Sequence, residues 1–415
     1  LILWAAFFTK TGKMKESSME EFAVGGRNFG LLMVLFVIMG AMVTASIFTS
    51  FFSWAGTDGL FVQYVLIYAT LGFLFTYVFS KKIWIWGREF KLLTQPDYIQ
   101  LRYNCRPLTF FFAAAEVLIE FPWVVMEFAA LGILMSALTY GALSPQVGAV
   151  IIAVVIISYI LYSGMKAIAV TELIQGLLSS LVIAAGMIFV IYKLFGGFGN
   201  LYQEVMAVAP ENLLISRDGQ YSYTYWACLI TTSSIGVMGF CTFFTRIYTS
   251  KSVLETKRIA MWSAIVTFIF FAFLFIAALG VVVYPDLLEE AIGEGAFYAM
   301  LDKAYGPWFL GLGGIVVVAA GMSLISVANN TLGIIVAENL IRPFRKKQPA
   351  SEKEANAQRV KIARICVFVF SIVAVGVSML DLPNLYEIAI VTYEGISQVV
   401  PMIVFSLYWR RSNKY

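Results

Sequence analysis

Four stretches of this chain carry no charged residue: those between Arg27 and Asp58, Asp58 and Lys81, Arg258 and Asp286, and Lys303 and Glu338. Each is long enough for a helix of about 20 residues, the length that crosses the hydrocarbon core of a bilayer. With 60% hydrophobic and 13% charged residues, against roughly a quarter charged in ordinary globular chains, the sequence is written for lipid as its solvent. Candidate spans fall near 29–55, 59–80, 108–138, 144–163, 168–194, 222–245, 259–284, 305–340, 362–380 and 383–409. Residues 1–9 read as the stump of an extra helix, flanked by Lys10, Lys13 and Lys15.

Every Lys and Arg except Lys193, Arg217 and Lys303 lies in alternate loops. The positive-inside rule places those loops in the cytoplasm of a multi-pass protein of an inner or plasma membrane. The net charge of +4 therefore reports topology, and no nucleic-acid partner is expected. The charged run 342–361 reads as a solvated linker. On the opposite side, Glu289, Glu290 and Glu294 suggest a small acidic surface helix.

The chain has no histidine, which excludes His-dependent zinc sites, Ser-His triads and His proton relays. Cys105, Cys228, Cys241 and Cys366 show no CxxC spacing and are expected as free thiols. Neither an enzyme nor a cofactor is expected; the partners are a small-molecule substrate and the bilayer, with the oligomeric state open.

The spans divide into two groups of five, 29–194 and 222–410, separated by an extracytoplasmic loop at 195–221. Residues 1–28 precede them as a flanking helix and loop, and 411–415 follow as a cytoplasmic end. An odd number of crossings forces the second group to run opposite to the first, the arrangement of inverted-repeat transporters. Gly40 lies mid-span in the first helix of one group, and Gly236 and Gly239 in the first helix of the other. Two readings stand: helices broken around a midplane site, or glycines that permit close packing.

A carboxylate in hydrocarbon costs about 2.5 kcal/mol or more, so acids inside spans face protein or mark a function. Glu116, Glu120 and Glu127 share one helix face, Glu120 and Glu127 standing about 40° and 20° from Glu116 around the axis. Glu116 and Glu120 are close enough to the cytoplasmic end to reach basic loop residues. Glu127 is deeper, a candidate for titration or for pairing with a cation. Glu394 and Gln398 form a second polar set one turn apart, with Glu387 near the outer surface. Glu172 opens a helix on the cytoplasmic side, where a carboxylate complements the helix dipole. Ser323, Ser326 and Asn330 line one stripe of an otherwise apolar segment, with Asn329 and Thr331 to either side. Such a stripe supplies oxygen ligands for a small alkali cation, or hydrogen-bonds helix to helix.

AVGGR at 23–27, LTQPDYIQLRY at 93–103, YSGMKAIAVTELIQG at 162–176, RIYTSKS at 246–252 and AENLIRPF at 337–344 together resemble the sodium:solute symporter family. GGRNFG and LTQPDYIQLRY are nearer its monocarboxylate permease branch than its proline branch. The resemblance implies an all-helical LeuT-type fold of five-plus-five inverted repeats with at least one flanking N-terminal helix. It further implies a sodium site with backbone carbonyls from Gly40, Val43 and Ala320 and the hydroxyl of Ser323, near Glu172 of the TE motif. Relatives usually carry a second hydroxyl where this chain has Leu324, commonly have Gln at the position of Glu127, and commonly have Asp at that of Glu172. A poorer oxygen cage and an added deep carboxylate raise the alternative that protons replace sodium, or that Glu127 pairs with a substrate amine. By position, Thr44, Ser46, Ser233 and Ser234 would line the substrate site, with Glu127, Asn330 and Glu394 in reach. The expected function is cation-coupled symport of a monocarboxylate or amino acid by alternating access. The alternatives are proton-coupled or sodium-independent transport on the same fold, and a transporter-like solute receptor.

Overall fold

The computed structural model describes residues 18–39, 42–162, 165–216, 221–289, 292–344 and 351–413. The stump at residues 1–9, the acid Glu290 and the candidate ligand Gly40 lie outside that set. Among the described residues there is no strand, only one isolated parallel bridge between Phe29 and Ser250.

The chain enters through α1 (Met19–Val24) and α2 (Leu31–Met39), passes a break at residues 42–44, and resumes as a wide helical turn (Ile47–Phe51) leading into α3 (Phe52–Asp58). Then follow α4 (Tyr64–Glu89), α5 (Gln95–Tyr103), α6 (Arg106–Leu138), α7 (Pro145–Tyr162), α8 (Met165–Phe195) and α9 (Phe198–Val208). The remainder comprises α10 (Tyr223–Gly239), α11 (Cys241–Thr249), α12 (Val253–Leu279), α13 (Ala296–Tyr305), α14 (Pro307–Ile335), α15 (Glu352–Ser378), α16 (Leu385–Ser397) and α17 (Val400–Tyr408).

Helix starts obey local chemistry. Thr94 and Asp97 form a reciprocal capping box at α5, with Pro96 inside the first turn, and Ser222, Ser252 and Ser351 each accept an amide of the helix they open. Among the described residues, six helices are long and apolar enough to cross a membrane, or up to eight if each bent pair is one span. Ten spans are expected from sequence; the first is divided by its break, and α7 and α8 are described in part by backbone alone.

Helix α4 packs along α12 and α10, α14 lies between α8 and α6, and α16 crosses α10 and α6. The 50° bend between α10 and α11 falls at Phe240, whose extended backbone (φ −59°, ψ 123°) ends one helix and starts the next. Gly239 stands beside the bend, and a Cβ there would meet Ile396 Cγ2 at 2.5 Å; a Cβ at Gly236 would meet the Tyr393 ring at 3.0 Å. Both readings of these glycines therefore hold together: the helix is broken, and the glycines admit α16 against it.

The acidic connection near 294 differs from expectation. Glu294 is half-buried: it accepts the Leu385 amide at 3.0 Å and a short hydrogen bond from the Ser50 hydroxyl, and the Ser50 oxygen takes the Tyr386 amide at 3.0 Å. The orphan amides at the start of α16 draw the acid inward.

Candidate functional site: two broken helices and a buried charge cluster

The first break is held by a carboxylate from another helix. Thr44 is non-helical and the helix resumes at Ala45. Glu127 of α6, fully buried, accepts the Ala45 amide at 2.8 Å, the Ser46 amide at 3.2 Å and the Ser46 hydroxyl at 2.5 Å. The Thr44 hydroxyl lies 2.8 Å from that of Ser46 and accepts the Ile47 amide at 3.4 Å. The first three amides of the resumed helix, normally orphans, are thus all satisfied, and the positive helix end is met by a carboxyl group. Thr44, Ser46 and Glu127, expected together at the substrate site, form one hydrogen-bonded unit.

Beyond that unit, Thr49 donates to the Ala45 carbonyl at 2.9 Å and meets the Tyr298 hydroxyl at 2.7 Å, and Trp54 stacks on Tyr386 at 4.2 Å. Together with the Ser50–Glu294 contact, these seal the end away from the basic loops. At the other end, Phe29 and the Thr249–Lys251 segment exchange backbone hydrogen bonds, and Arg27 holds Glu20 and the Leu92 carbonyl. Between the seals, a cavity of about 10 Å³ is lined by Met42, Glu120, Trp123, Phe240, Thr242, Phe243, Leu324 and Tyr393. Rings of Trp123, Phe240 and Tyr393 stand mutually edge-to-face with centroids 5.3–5.6 Å apart. The space holds about one water.

Ser323 and Glu172 come together. The Ser323 hydroxyl donates to Glu172 at 2.8 Å, which leaves the serine oxygen free to face a cation, while the second carboxylate oxygen of Glu172 has no partner. Glu172 lies in the second turn of α8, fully enclosed. Burial between α14 and α11, more than the helix dipole invoked from sequence, defines its setting. An orphaned carboxylate oxygen beside a hydroxyl is donor chemistry that fits a hard alkali cation. Val43 and Ala320 are buried, Val43 at the non-helical break and Ala320 one turn before Ser323; Leu324 lines the central cavity.

Arg246 was missed by sequence reasoning, which counted it with a loop. It is fully enclosed in α11, 3.9 Å from Glu172, and among the described residues none of its three guanidinium nitrogens has a hydrogen-bond partner. Glu116 and Glu120 are likewise buried, and neither reaches a basic loop residue. The Gln95 amide, correctly oriented, donates to Glu116 at 2.7 Å, and the Cys241 thiol donates to Glu120 at 2.7 Å. The available signal was the three-acid face itself, which needed polar partners from neighbouring helices. All four cysteines are free, as expected.

Other nominated residues stand apart. Ser233 and Ser234 are buried in α10 ahead of its bend, with the Ser234 hydroxyl unpartnered. Asn330 is buried in α14 with its amide nitrogen unpartnered, whereas Asn329 donates to Ser371 at 2.9 Å and ties α14 to α15. Glu394 is exposed on α16, on the side away from Tyr393, and does not join the buried group. A second cavity of about 740 Å³ opens near the basic loops, lined by Asp97, Gln100, Arg106, Thr109, Glu338 and Arg342 among others.

Known proteins share this architecture. The chain is 22% identical to the uncharacterised symporter YhjB of Bacillus subtilis, over 95% of this chain and 79% of that protein. It is 23% identical to a monocarboxylate transport permease protein of Rhizobium johnstonii, over 95% and 78% respectively. The structure of a Na+-coupled sialic acid symporter in a substrate-bound outward-open state superposes with a TM-score of 0.81 at 18% identity, covering 99% of this chain and 85% of that one. The fold is thus the LeuT-type fold that the resemblance implied. The profile of the sodium:solute symporter family matches residues 22–415, which take in both helix breaks, the α6 acids and the Ser323–Glu172 pair, and the chain belongs to that family.

Proposed function

We propose that the protein is a sodium-coupled symporter that imports a small organic solute by alternating access, with its basic loops in the cytoplasm. Sodium would be held by the carbonyls of Gly40, Val43 and Ala320 and the hydroxyl of Ser323, with Glu172 behind that hydroxyl. The solute would sit between the breaks, near Thr44, Ser46 and Glu127 on one side and Phe240 on the other.

One observation carries the solute class. Glu127 occupies the amides of Ala45 and Ser46, the end of a half-helix at which a substrate carboxylate would otherwise be received. The acid lining the central cavity is Glu120, beside the rings of Trp123, Phe240, Phe243 and Tyr393. Aromatic rings favour a positively charged group, so an amino acid, whose ammonium they can face, fits better than a monocarboxylate. This holds even though one relative is a monocarboxylate permease.

The test is thermal unfolding of the purified protein in NaCl or KCl, with L-alanine or its ammonium-free isostere propionate as probes. Sodium-dependent, saturable stabilisation by L-alanine alone supports the reading; stabilisation by propionate alone replaces it with monocarboxylate transport. Sodium-driven accumulation in proteoliposomes separates a symporter from a solute receptor, which would bind without accumulating.

A further inference from the structure

Three buried acids and one buried base lie on the packed helices α6, α8 and α11. Glu116, Glu120 and Glu172 are each at most 4% exposed, and Arg246 is not exposed at all. Arg246 interacts electrostatically with both Glu172 and Glu120, yet hydrogen-bonds to neither. Its nearest carboxylate oxygen is 3.9 Å away, beyond hydrogen-bonding distance. A long flexible side chain held between two acids, with all its donors unspent, is poised to settle on either.

Charge balance decides what else the cluster must hold. Three ionised carboxylates around a single guanidinium would leave an uncompensated excess in a water-poor interior, where unpaired charge is expensive. Among the described residues, the groups facing Glu116 and Glu120 are Gln95 on α5, Cys241, Thr242 and Arg246 on α11, and, further along, Asp97 and Tyr248. The next cation, Arg27 beside the Tyr248 ring, is already paired with Glu20 and bonded to the Leu92 carbonyl. The adjacent acids, one turn apart on α6, can share a proton, as closely placed carboxylates do.

We infer that the Glu116–Glu120 pair is a proton-binding site linked through Arg246 to cation binding at Ser323–Glu172, such that sodium and a proton displace one another. The inference rests on the sodium reading above. Sodium beside Ser323 becomes the counter-ion of Glu172 and releases Arg246 from that role. The guanidinium then turns to Glu120, the O–H bond of the acid pair breaks, and the proton passes to water. Glu120 faces the central cavity, and Gln95, beside Glu116, opens the helix whose Asp97 and Gln100 line the larger cavity near the basic loops. Binding reciprocity then requires acid to weaken sodium binding, by up to about tenfold per pH unit.

Infrared difference spectra of the purified protein, NaCl against KCl at constant ionic strength and neutral pH, test this without a known solute. The expected result is loss of the carbonyl stretch of a protonated carboxylic acid, gain of carboxylate bands, and acidification of an unbuffered sample. The signal should vanish in Glu116→Gln or Glu120→Gln and in Arg246→Gln. Since those variants can fail to fold, the wild-type difference spectrum and the pH dependence of its sodium midpoint stand on their own. Thermal stabilisation by sodium with no acid signal overturns the inference and leaves the sodium site intact. Absence of both effects overturns the sodium reading and the inference with it. An acid signal that survives in both Gln variants and disappears in Glu127→Gln assigns the proton elsewhere and also overturns it.

Discussion

The carboxylate of Glu127 lies 2.8 Å from the backbone amide of Ala45, across a sequence separation of 82 residues, and so caps a helix to which it does not belong. Hydrogen bonds to a charged group contribute about 1.5–3 kcal/mol each, and unmet buried donors cost similar amounts. Glu127→Ala is therefore expected to lower thermal stability and to leave an anion-shaped vacancy at the helix end. Millimolar acetate should restore stability to the variant in a saturable manner and leave the wild type unchanged; equal responses from both proteins would refute the capping role.

Ser323 donates its hydroxyl to Glu172, so its loss acts on both the fold and the cation site. Ser323→Ala should cost about 1–3 kcal/mol through the unmet carboxylate and should abolish the sodium-specific part of the thermal shift. Sodium titrations of the variant measured against KCl check this. A retained sodium shift would place the cation elsewhere.

Leu324 invites the opposite change. A hydroxyl there would add an oxygen where relatives usually carry one, and hard cations gain affinity with oxygen count. Leu324→Ser should tighten sodium binding while lowering stability by about 2–5 kcal/mol, because a large buried side chain is removed. Sodium midpoints from thermal shift, compared with the wild type, give the sign directly.

Glu294, on the connection outside the spans, has its carboxyl pushed above the usual range by burial, partly offset by the Ser50 hydroxyl and the Leu385 amide. An acid with a raised folded-state pKa binds its proton more tightly when folded. Its contribution to stability is then fully present below the unfolded-state pKa and is lost as pH rises through the folded value. The wild type should therefore gain stability at mildly acidic pH relative to Glu294→Gln, whose profile should be flatter. Unfolding midpoints collected from neutral pH downward would show the two curves converging if Glu294 is the source, and remaining parallel if it is not.

Gly239 tests the packing at the second break. Gly239→Val places atoms where Ile396 Cγ2 already sits 2.5 Å from an added Cβ. Overpacking of that kind costs about 1–3 kcal/mol, and a compensating Ile396→Ala should recover part of it. Failure of the double variant to recover stability would show that the bend at Phe240, and not the contact with α16, is what requires glycine.

Charge-free runs and basic loops made the helical membrane fold legible, since lipid imposes those patterns on any chain that crosses it. The candidate site was legible in part. Glu127, Ser323 and Glu172 stood out as polar groups in apolar helices, and Thr44 and Ser46 were named by position from the family resemblance. Their pairing was not, because Glu127 meets Ala45, and Ser323 meets Glu172, only after distant helices pack. Arg246 escaped for the reverse reason: near a run of basic loop residues, an arginine looks ordinary until burial is known. Glu394 drew notice for its charge inside an apolar stretch, but the face it occupies depends on how α16 lies against α10 and α6.

The bridge between Phe29 and Ser250 has a consequence for motion. Phe29 accepts the Lys251 amide at 3.3 Å and donates to the Thr249 carbonyl at 3.1 Å, so the strand of chain leading into α2 and the tail of α11 are clasped main chain to main chain. A clasp of this kind has no side-chain identity. Any movement of α2 relative to α11 must either carry both together or break this seam, and substitutions of one side chain for another along it leave the main-chain clasp in place.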